Sequence, residues 1–238
     1  MLKFRQTGIF MKNYFEVLRQ CQLFHETTDE NLMAMLECLD ARIAAFHKKE
    51  TILAEGEPAR YIGIVLSGEA QVIRVDYFGN RSIVANVQPS EIFGESFACA
   101  DVRAIPVDVI ATEDTEVMLI DCLRILRYCS KSCEFHRQMI YNLMKIVAKK
   151  NLLFHQKIEI TSKRSTKEKL MAYLLLQAKK NKSSSFEIPF SRQELADYLE
   201  VERTGLSAEI SKLCRQGVIT ANKRRFQILR NENMESHP

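Results

Sequence analysis

Apolar residues follow two different periodicities along the chain. Helical spacing runs from Asn13 to Leu39, whereas from about Ile43 to Ile120 the apolar residues occur in short β-prone runs. Turn residues such as Gly56-Glu57-Pro58 and Gly79-Asn80 separate these runs. Many short strands at this spacing predict an antiparallel barrel or sandwich with flanking helices.

A long helix is predicted after these strands. The chain has no Pro or Gly between Asp121 and Pro189, and apolar residues recur at three-and-four spacing up to roughly Ile160. A helix of this length is too long for a small domain to cover. This favours a coiled-coil-like homodimer, and a helix buried within its own chain is the alternative. The predicted dimer residues are Met139, Ile140, Leu143, Ile146, Val147 and Phe154.

The C-terminal third has the pattern of a winged helix-turn-helix. Ser191 and Glu194 form a capping box, which predicts a helix start. A second helix is expected to begin near Glu202 after a short turn. The segments 217–220 and 223–229 are typical of two strands joined by a basic turn, the wing.

The polar face of the second helix is the candidate DNA-reading surface. Its small hydroxyl and methyl groups allow a helix to lie deep in the major groove, and Arg203 near its start can reach guanine or a phosphate. The free amides at the start of the first helix suit a phosphate. The candidate DNA-binding residues are Ser191, Arg192, Gln193, Arg203, Thr204, Ser207, Ala208, Ser211, Lys212, Lys223, Arg224 and Arg225.

The charge distribution agrees with a polyanionic partner for the C-terminal third. The net charge of the chain is +4. Residues 163–230 carry 15 Lys and Arg against 7 Asp and Glu, a net of +8, and the other residues carry 19 against 23, a net of −4. Positive charge concentrated in one domain favours a nucleic acid as partner.

Composition narrows the class of protein further. Apolar residues make up 46% of the 238 residues, as in an ordinary globular protein of two domains. No apolar run reaches the length needed to cross a bilayer, and no apolar core of signal-peptide length is present near the N-terminus, so we expect a cytoplasmic protein without a membrane partner. The sequence contains no Gly-rich phosphate loop, no His or Asp cluster with metal-ligand spacing and no nucleophile–base pair, so we do not expect an enzyme.

Five motifs together resemble one known family over nearly the whole chain. They are Gly56-Glu57-Pro58, Tyr61 to Gly68, Phe93-Gly94-Glu95, Ser191 to Ala196, and Arg203. In order and spacing they are similar to the CRP/FNR family of bacterial transcription regulators. The resemblance implies an α+β fold: an N-terminal cyclic-nucleotide-binding-like β-roll (an antiparallel double-stranded β-helix), a long dimerisation helix and a C-terminal winged helix-turn-helix. The corresponding domains are 13–133, 134–161 and 162–230. It also implies a homodimer, a near-palindromic double-stranded DNA operator and RNA polymerase as a partner.

The sensor site departs from the cyclic-AMP-binding members of that family. Those members hold the phosphate with an Arg and a Ser or Thr, and this position carries Ile105-Pro106, which cannot pair with a phosphate. We therefore expect an unknown small-molecule effector other than cyclic AMP, and we assign no cofactor or metal. The candidate effector-pocket residues are Phe93, Gly94, Glu95, Ser96, Ile105, Pro106, Val107, Phe154 and His155. Glu95 binds the effector or only caps the following helix, and the sequence does not decide between these roles.

Two alternative functions remain open from the sequence. One is a cyclic-nucleotide-binding regulatory protein that acts on a protein partner. The other is a redox-responsive regulator using cysteines, since the family's redox branch holds an iron–sulfur cluster and Cys122, Cys129 and Cys133 lie close in sequence. The tight cysteine repeats of cluster sites are absent, so isolated reduced thiols are the favoured interpretation of the seven cysteines.

Overall fold

The structure is a computed structural model that describes residues 4–5, 13–126 and 134–229. The chain divides into two compact units. The first contains residues up to 80 together with 84–151, and the second contains 81–83 together with the residues from 152 onward. Each unit is described by itself below.

The first unit combines short helices with two sheets. Its helices are α1 (Phe15–Gln20), a short 3-10 helix (Gln22–Phe24), α2 (Asp29–Cys38), α3 (Glu95–Cys99) and α4 (Cys122–Leu126). The long helix α5 (Glu134–Thr161) begins in this unit and continues into the second. Within the described part of the chain, no helix is long and apolar enough to cross a membrane.

Two sheets carry the β-rich region. One has the order β1 (Phe4–Arg5), β2 (Arg42–Phe46), β9 (Thr115–Asp121), β4 (Tyr61–Ser67) and β7 (Ile92–Phe93). The other has the order β3 (Thr51–Leu53), β8 (Asp108–Ala111), β5 (Ala70–Val75) and β6 (Arg81–Val87). The pairs β2–β9, β4–β9 and β5–β8 are antiparallel, which agrees with the predicted antiparallel β-roll.

The central strand β4 explains how one short segment supports two cores. Its side chains alternate between faces. Ile62 and Ile64 lie in a cluster with the flanking helices, whereas Val65 lies in a second cluster between the sheets. Gly63 is required at its position, because a Cβ there would lie only 2.0 Å from Cζ of Phe93.

The second unit is the predicted winged helix-turn-helix. It contains α6 (Thr166–Asn181), β10 (Ser185–Glu187), α7 (Arg192–Leu199), α8 (Arg203–Arg215), β11 (Ile219–Asn222) and β12 (Arg225–Ile228). The three strands form one sheet in the order β10–β12–β11, and the recorded pairs are antiparallel. The α+β fold class predicted from the sequence is thereby confirmed.

Candidate nucleic-acid interface and sensor site

The start of α7 is fixed by the capping box that the sequence predicts. The Ser191 backbone N–H donates to Oε2 of Glu194 at 2.7 Å, and the Glu194 N–H donates to Oγ of Ser191 at 3.4 Å. The helix ends at Leu199, and the next residue, Glu200, has a left-handed φ of +55°. This residue turns the chain so that α8 can start three residues later.

Helix α8 presents an open polar face. Leu206, Ile210 and Leu213 are buried on its inner side. On a helix of 3.6 residues per turn, the opposite side carries the predicted DNA-reading residues. Of these, Arg203, Thr204, Ala208, Ser211 and Lys212 are exposed, and Ser207 is half-buried. The polar face is therefore not packed against its own unit.

The side chains of this face differ in how they are engaged. Arg203 has no ion pair or hydrogen bond with any described residue. The Ser211 hydroxyl donates to the Ser207 carbonyl at 2.9 Å, and Nζ of Lys212 lies 3.7 Å from Oε1 of Glu209. On this face Arg203 is thus more available to a ligand than Lys212.

The predicted phosphate contacts of α7 are already engaged within the unit. The guanidinium of Arg192 lies 5.5 Å from the centre of the Phe226 ring, and burial lowers its pKa. The Gln193 amide donates to Oδ1 of Asp197 at 2.7 Å, and the hydroxyl of Ser191 belongs to the capping box. A phosphate at this helix start would therefore be met by backbone amides rather than by these side chains.

The wing places three basic residues at its tip. Lys223 adopts a left-handed φ of +51° between β11 and β12, and Lys223, Arg224 and Arg225 are all exposed. One guanidinium nitrogen of Arg224 lies 3.9 Å from Oε2 of Glu194, so part of its charge is balanced within the unit. Lys223 and Arg225 have no such partner among the described residues.

In the first unit, the predicted sensor residue Glu95 is buried and paired. Its exposed fraction is 2%, and both of its carboxylate oxygens lie 3.0 Å from Nζ of Lys150 in α5. The same ammonium group donates to the Ile92 carbonyl at 2.6 Å. Ser96, half-buried, donates its hydroxyl to Glu95 at 3.2 Å. The carboxylate of Glu95 thus holds an internal ion pair with Lys150 at the first turn of α3, and whether it also binds an effector stays a prediction.

The other predicted pocket residues of the first unit include three core residues. Phe93, Ile105 and Val107 belong to the core between the sheets. The Ile105 N–H donates to the Glu57 carbonyl, and the Ile105 carbonyl accepts from the Gly56 N–H, each at 2.9 Å.

Three further predicted pocket residues are exposed. Pro106 belongs to the first unit, and Phe154 and His155 belong to the second. The remaining one, Gly94, has a φ of +77° at the start of α3.

Comparison with known proteins identifies both units. A family model described as a cyclic nucleotide-binding domain matches residues 43–132, and a model described as a Crp-like helix-turn-helix domain matches residues 168–236. The chain belongs to the CRP/FNR family. This is a family of transcription regulators and not of enzymes.

Relatives of this CRP/FNR protein agree in sequence and fold. It is 25% identical over 202 residues to "Transcriptional activator protein FnrA" of Stutzerimonas stutzeri, covering 83% of this chain and 80% of that one. The structure of FixK2 from Bradyrhizobium japonicum matches with a TM-score of 0.61 at 23% identity, covering 82% of this chain and 94% of that one. The structure of CLP from Xanthomonas campestris, titled a c-di-GMP responsive global regulator, matches with a TM-score of 0.68 at 16% identity, covering 83% and 99%.

The predicted dimer face of this CRP/FNR protein is corrected by the structure. Met139, Leu143 and Ile146 are buried in the core of their own unit and are not available to a partner, whereas Ile140 and Val147 are half-buried and pack against that core. Phe154 alone of the predicted set is exposed. The opposite face of α5 is exposed and has the residues Tyr141, Met144, Ala148, Leu152 and His155, which we call the α5 seam. The sequence prediction failed because both faces of α5 carry apolar residues.

Two further features of this regulator were missed in the sequence. Arg215 is exposed, and it lies one helical turn after Ser211 on the same face of α8. Its spacing of four residues was a sufficient signal. Cys122 lies 3.7 Å from Cys99 in the structure, whereas Cys129 and Cys133 are outside the described residues.

Proposed function

We propose that this CRP/FNR regulator binds DNA sequence-specifically as a homodimer, with α8 as the recognition helix in the major groove. The observation that carries this proposal is the open polar face of α8, with Arg203 exposed and without a partner among the described residues. A guanidinium in this state can donate two parallel hydrogen bonds to O6 and N7 of a guanine. Arg203 would not have to give up an existing ion pair in order to make that contact.

The other candidate residues have roles set by size and charge. Thr204 and Ser207 would contact base edges, while Ala208 leaves room for close approach of the helix. Ser211 donates its proton to its own helix, so it would accept a hydrogen bond rather than donate one. Lys212, Lys223, Arg225 and, more weakly, Arg224 would contact phosphates and make the affinity salt-dependent.

The homodimer is supported by the α5 seam. Its residues recur at spacings of three and four, as in a helix that packs against a second helix. Met144 is 65% exposed and Leu152 is 64% exposed, which is unfavourable for an isolated chain in water. Two copies related by a twofold axis would place two recognition helices about 34 Å apart, so we expect a near-palindromic operator.

We further propose an effector other than cyclic AMP and a cytoplasmic role in transcription. Ile105-Pro106 offers no phosphate donor, and Lys150 already neutralises the carboxylate of Glu95. An effector would act by its difference in affinity for two arrangements of the dimer. Relatives named as transcriptional activators support RNA polymerase as a protein partner.

The test is selection of an operator followed by measurement of its affinity. Duplexes selected from a randomised pool should contain two inverted half-sites, and anisotropy titrations should show Arg203→Ala binding the selected duplex about ten- to a hundredfold more weakly, with relaxed base preference. Lys223→Ala should instead lower the salt slope by about one at every sequence.

A matched control removes the same charge elsewhere. Arg74→Ala, at an exposed arginine of the first unit, should bind the selected duplex like the parent. If Arg203→Ala discriminates between the selected and the random duplex as well as Arg74→Ala does, the assignment of α8 is wrong.

A further inference from the structure

Cys99 and Cys122 bring two thiols together at the junction of α3 and α4. Cys99 is the last residue of α3 and is exposed, whereas Cys122 is the first residue of α4 and is 2% exposed. Their Sγ atoms are 3.7 Å apart. The Cys122 N–H donates to the Arg60 carbonyl at 3.0 Å, which fixes the backbone of one partner. Cys99 and Cys122 are 23 residues apart in sequence, so it is the fold that brings the two thiols together.

We propose that Cys99 and Cys122 form a redox-active dithiol that small hydroperoxides oxidise to an intramolecular disulfide. A disulfide has an S–S distance of about 2.05 Å. The two sulfur atoms must therefore approach by less than 2 Å from their separation of 3.7 Å. A shift of that size is within reach of side-chain rotation and a small movement of the short helix α3.

The chemistry follows in two balanced steps. The sulfur of Cys99, as thiolate, attacks one oxygen of hydrogen peroxide, the O–O bond breaks, and hydroxide leaves and takes up a proton as water. Cys99 is then a sulfenic acid, oxidised by two electrons. The Cys122 sulfur loses its proton and attacks the Cys99 sulfur, the S–O bond breaks, and the oxygen leaves as a second water. A dithiol reductant reverses the bond by exchange and is itself oxidised to a disulfide.

The local electrostatics assign these two roles. The hydrogen bond between the two thiols lowers the pKa of Cys99, although burial and the charge of Glu95 oppose this effect. The same hydrogen bond, together with burial, raises the pKa of Cys122. Cys99 is therefore the thiol that reacts first, and its exposure gives the oxidant access. Cys122 is the resolving thiol.

The surroundings also select the class of oxidant. The carboxylates of Asp101 and Asp121 act on Cys122, and that of Glu95 acts on Cys99. Glu95 is paired with Lys150 and Asp121 with Arg60, so the carboxylate of Asp101 is the one left to disfavour an anionic oxidant such as glutathione disulfide. Uncharged hydrogen peroxide is not opposed in this way.

A buried cysteine of the same unit shows what an unreactive thiol looks like here. Cys21 is 1% exposed, and burial raises its pKa to about 12. Its thiol is neither ionised nor accessible at neutral pH. The Cys99–Cys122 site differs from Cys21 in two respects: a second sulfur atom lies close by, and the Cys99 thiol is exposed.

The experiment oxidises the reduced full-length protein with a small excess of hydrogen peroxide at neutral pH. Remaining thiols are alkylated, the protein is digested without reductant, and the peptides are analysed by mass spectrometry. We expect the peptides of Cys99 and Cys122 to be linked and to lack two hydrogens, and dithiothreitol to restore both thiols to alkylation. Cys38→Ser, a control at another exposed cysteine, should give the same linked pair.

Variants of the two cysteines separate their roles. Cys122→Ala should leave Cys99 as a sulfenic acid that dimedone traps, while Cys99→Ser should leave Cys122 alkylated and unoxidised. The proposal is overturned if the parent protein keeps both thiols free at peroxide levels that oxidise Cys38 or Cys214, or if either thiol links mainly to another cysteine. The linked Cys99–Cys122 peptide is measured in the parent protein, so poor folding of a variant does not affect that result. The result also does not depend on whether the protein binds DNA.

Discussion

Replacement of Lys150 by methionine tests the internal ion pair that Lys150 forms with Glu95, a residue of the predicted effector pocket. The change removes the ammonium group and keeps an unbranched stem of similar length. It leaves the carboxylate of Glu95, which is 2% exposed, without its cation, and it leaves the Ile92 carbonyl without a donor from which it now accepts at 2.6 Å. The Ser96 hydroxyl, at 3.2 Å, is the remaining side-chain donor to the carboxylate.

The loss of stability expected for Lys150→Met lies between the values for buried and for exposed ion pairs. Removing one member of a fully buried ion pair costs about 3–5 kcal/mol, whereas an exposed pair contributes about 0–1 kcal/mol. The side chain of Lys150 is 28% exposed, so water partly screens the pair, and we expect Lys150→Met to destabilise the first unit by about 2–3 kcal/mol. Glu95→Gln should cost less, about 1 kcal/mol, because the lysine can reach water and the amide oxygen still accepts a hydrogen bond.

Hydrogen exchange of the β9 amides measures the stability of the first unit separately from the second. Lys149→Met is the matched control, because the Lys149 side chain is exposed and its Nζ contacts only Oε1 of Gln22, at 3.0 Å, among the described residues. We expect that control to change the opening free energy by less than about 0.5 kcal/mol. The reasoning is refuted if Lys150→Met costs no more than Lys149→Met, or if Glu95→Gln costs more than Lys150→Met.

Three other predictions concern the turn, the effector and the dimer. Glu200→Gly should raise the melting temperature of the second unit, since glycine removes the strain of a left-handed backbone, about 1 kcal/mol, at φ +55°. Glu200→Ala should not raise it, because alanine is strained in the same conformation. Equal gains in melting temperature for both variants would show that the backbone is not strained there. Millimolar cyclic AMP should not raise the melting temperature of the first unit, because Ile105 cannot bind a phosphate, and a rise of several degrees would contradict this. If the proposed homodimer forms through the α5 seam, Met144→Glu should give monomers in sedimentation equilibrium by placing a charge there. Gln156→Glu, which adds the same charge to an exposed position off the seam, should leave the dimer intact. A Met144→Glu dimer of unchanged affinity would place the interface elsewhere.

Elements with local signals were predictable from the sequence. The apolar run Tyr61–Leu66 is bounded by turn residues on both sides and predicts a strand, and β4 is observed as Tyr61–Ser67. The start of α7 was predicted to the residue, because a capping box is made by side chains three positions apart. A second capping box, of Ser165 and Glu168 at the start of α6, has the same signal and was overlooked.

Features that depend on distant residues were not predictable. The two-residue strand β7 exists because Ile92 and Phe93 pair with β4, and two residues carry no periodicity of their own. Lys150 is 55 residues from Glu95, and a lysine on a helix normally lies in water, so nothing local indicates its pairing. The burial of Met139, Leu143 and Ile146 within their own unit was not predictable for the same reason, since only the position of the β-roll distinguishes two apolar stripes on one helix.

Helix α3 is where these long-range contacts concentrate. It has only five residues, and an isolated helix of this length is not stable in water. Its position is therefore set from outside: Glu95 at its start is held by Lys150 of α5, Ala98 is buried in the core, and Cys99 at its end contacts Cys122 of α4. A disulfide at one end would shift an element whose other end is bonded to the long helix. Helix α3 therefore connects the Cys99–Cys122 pair to α5 through the ion pair of Glu95 with Lys150.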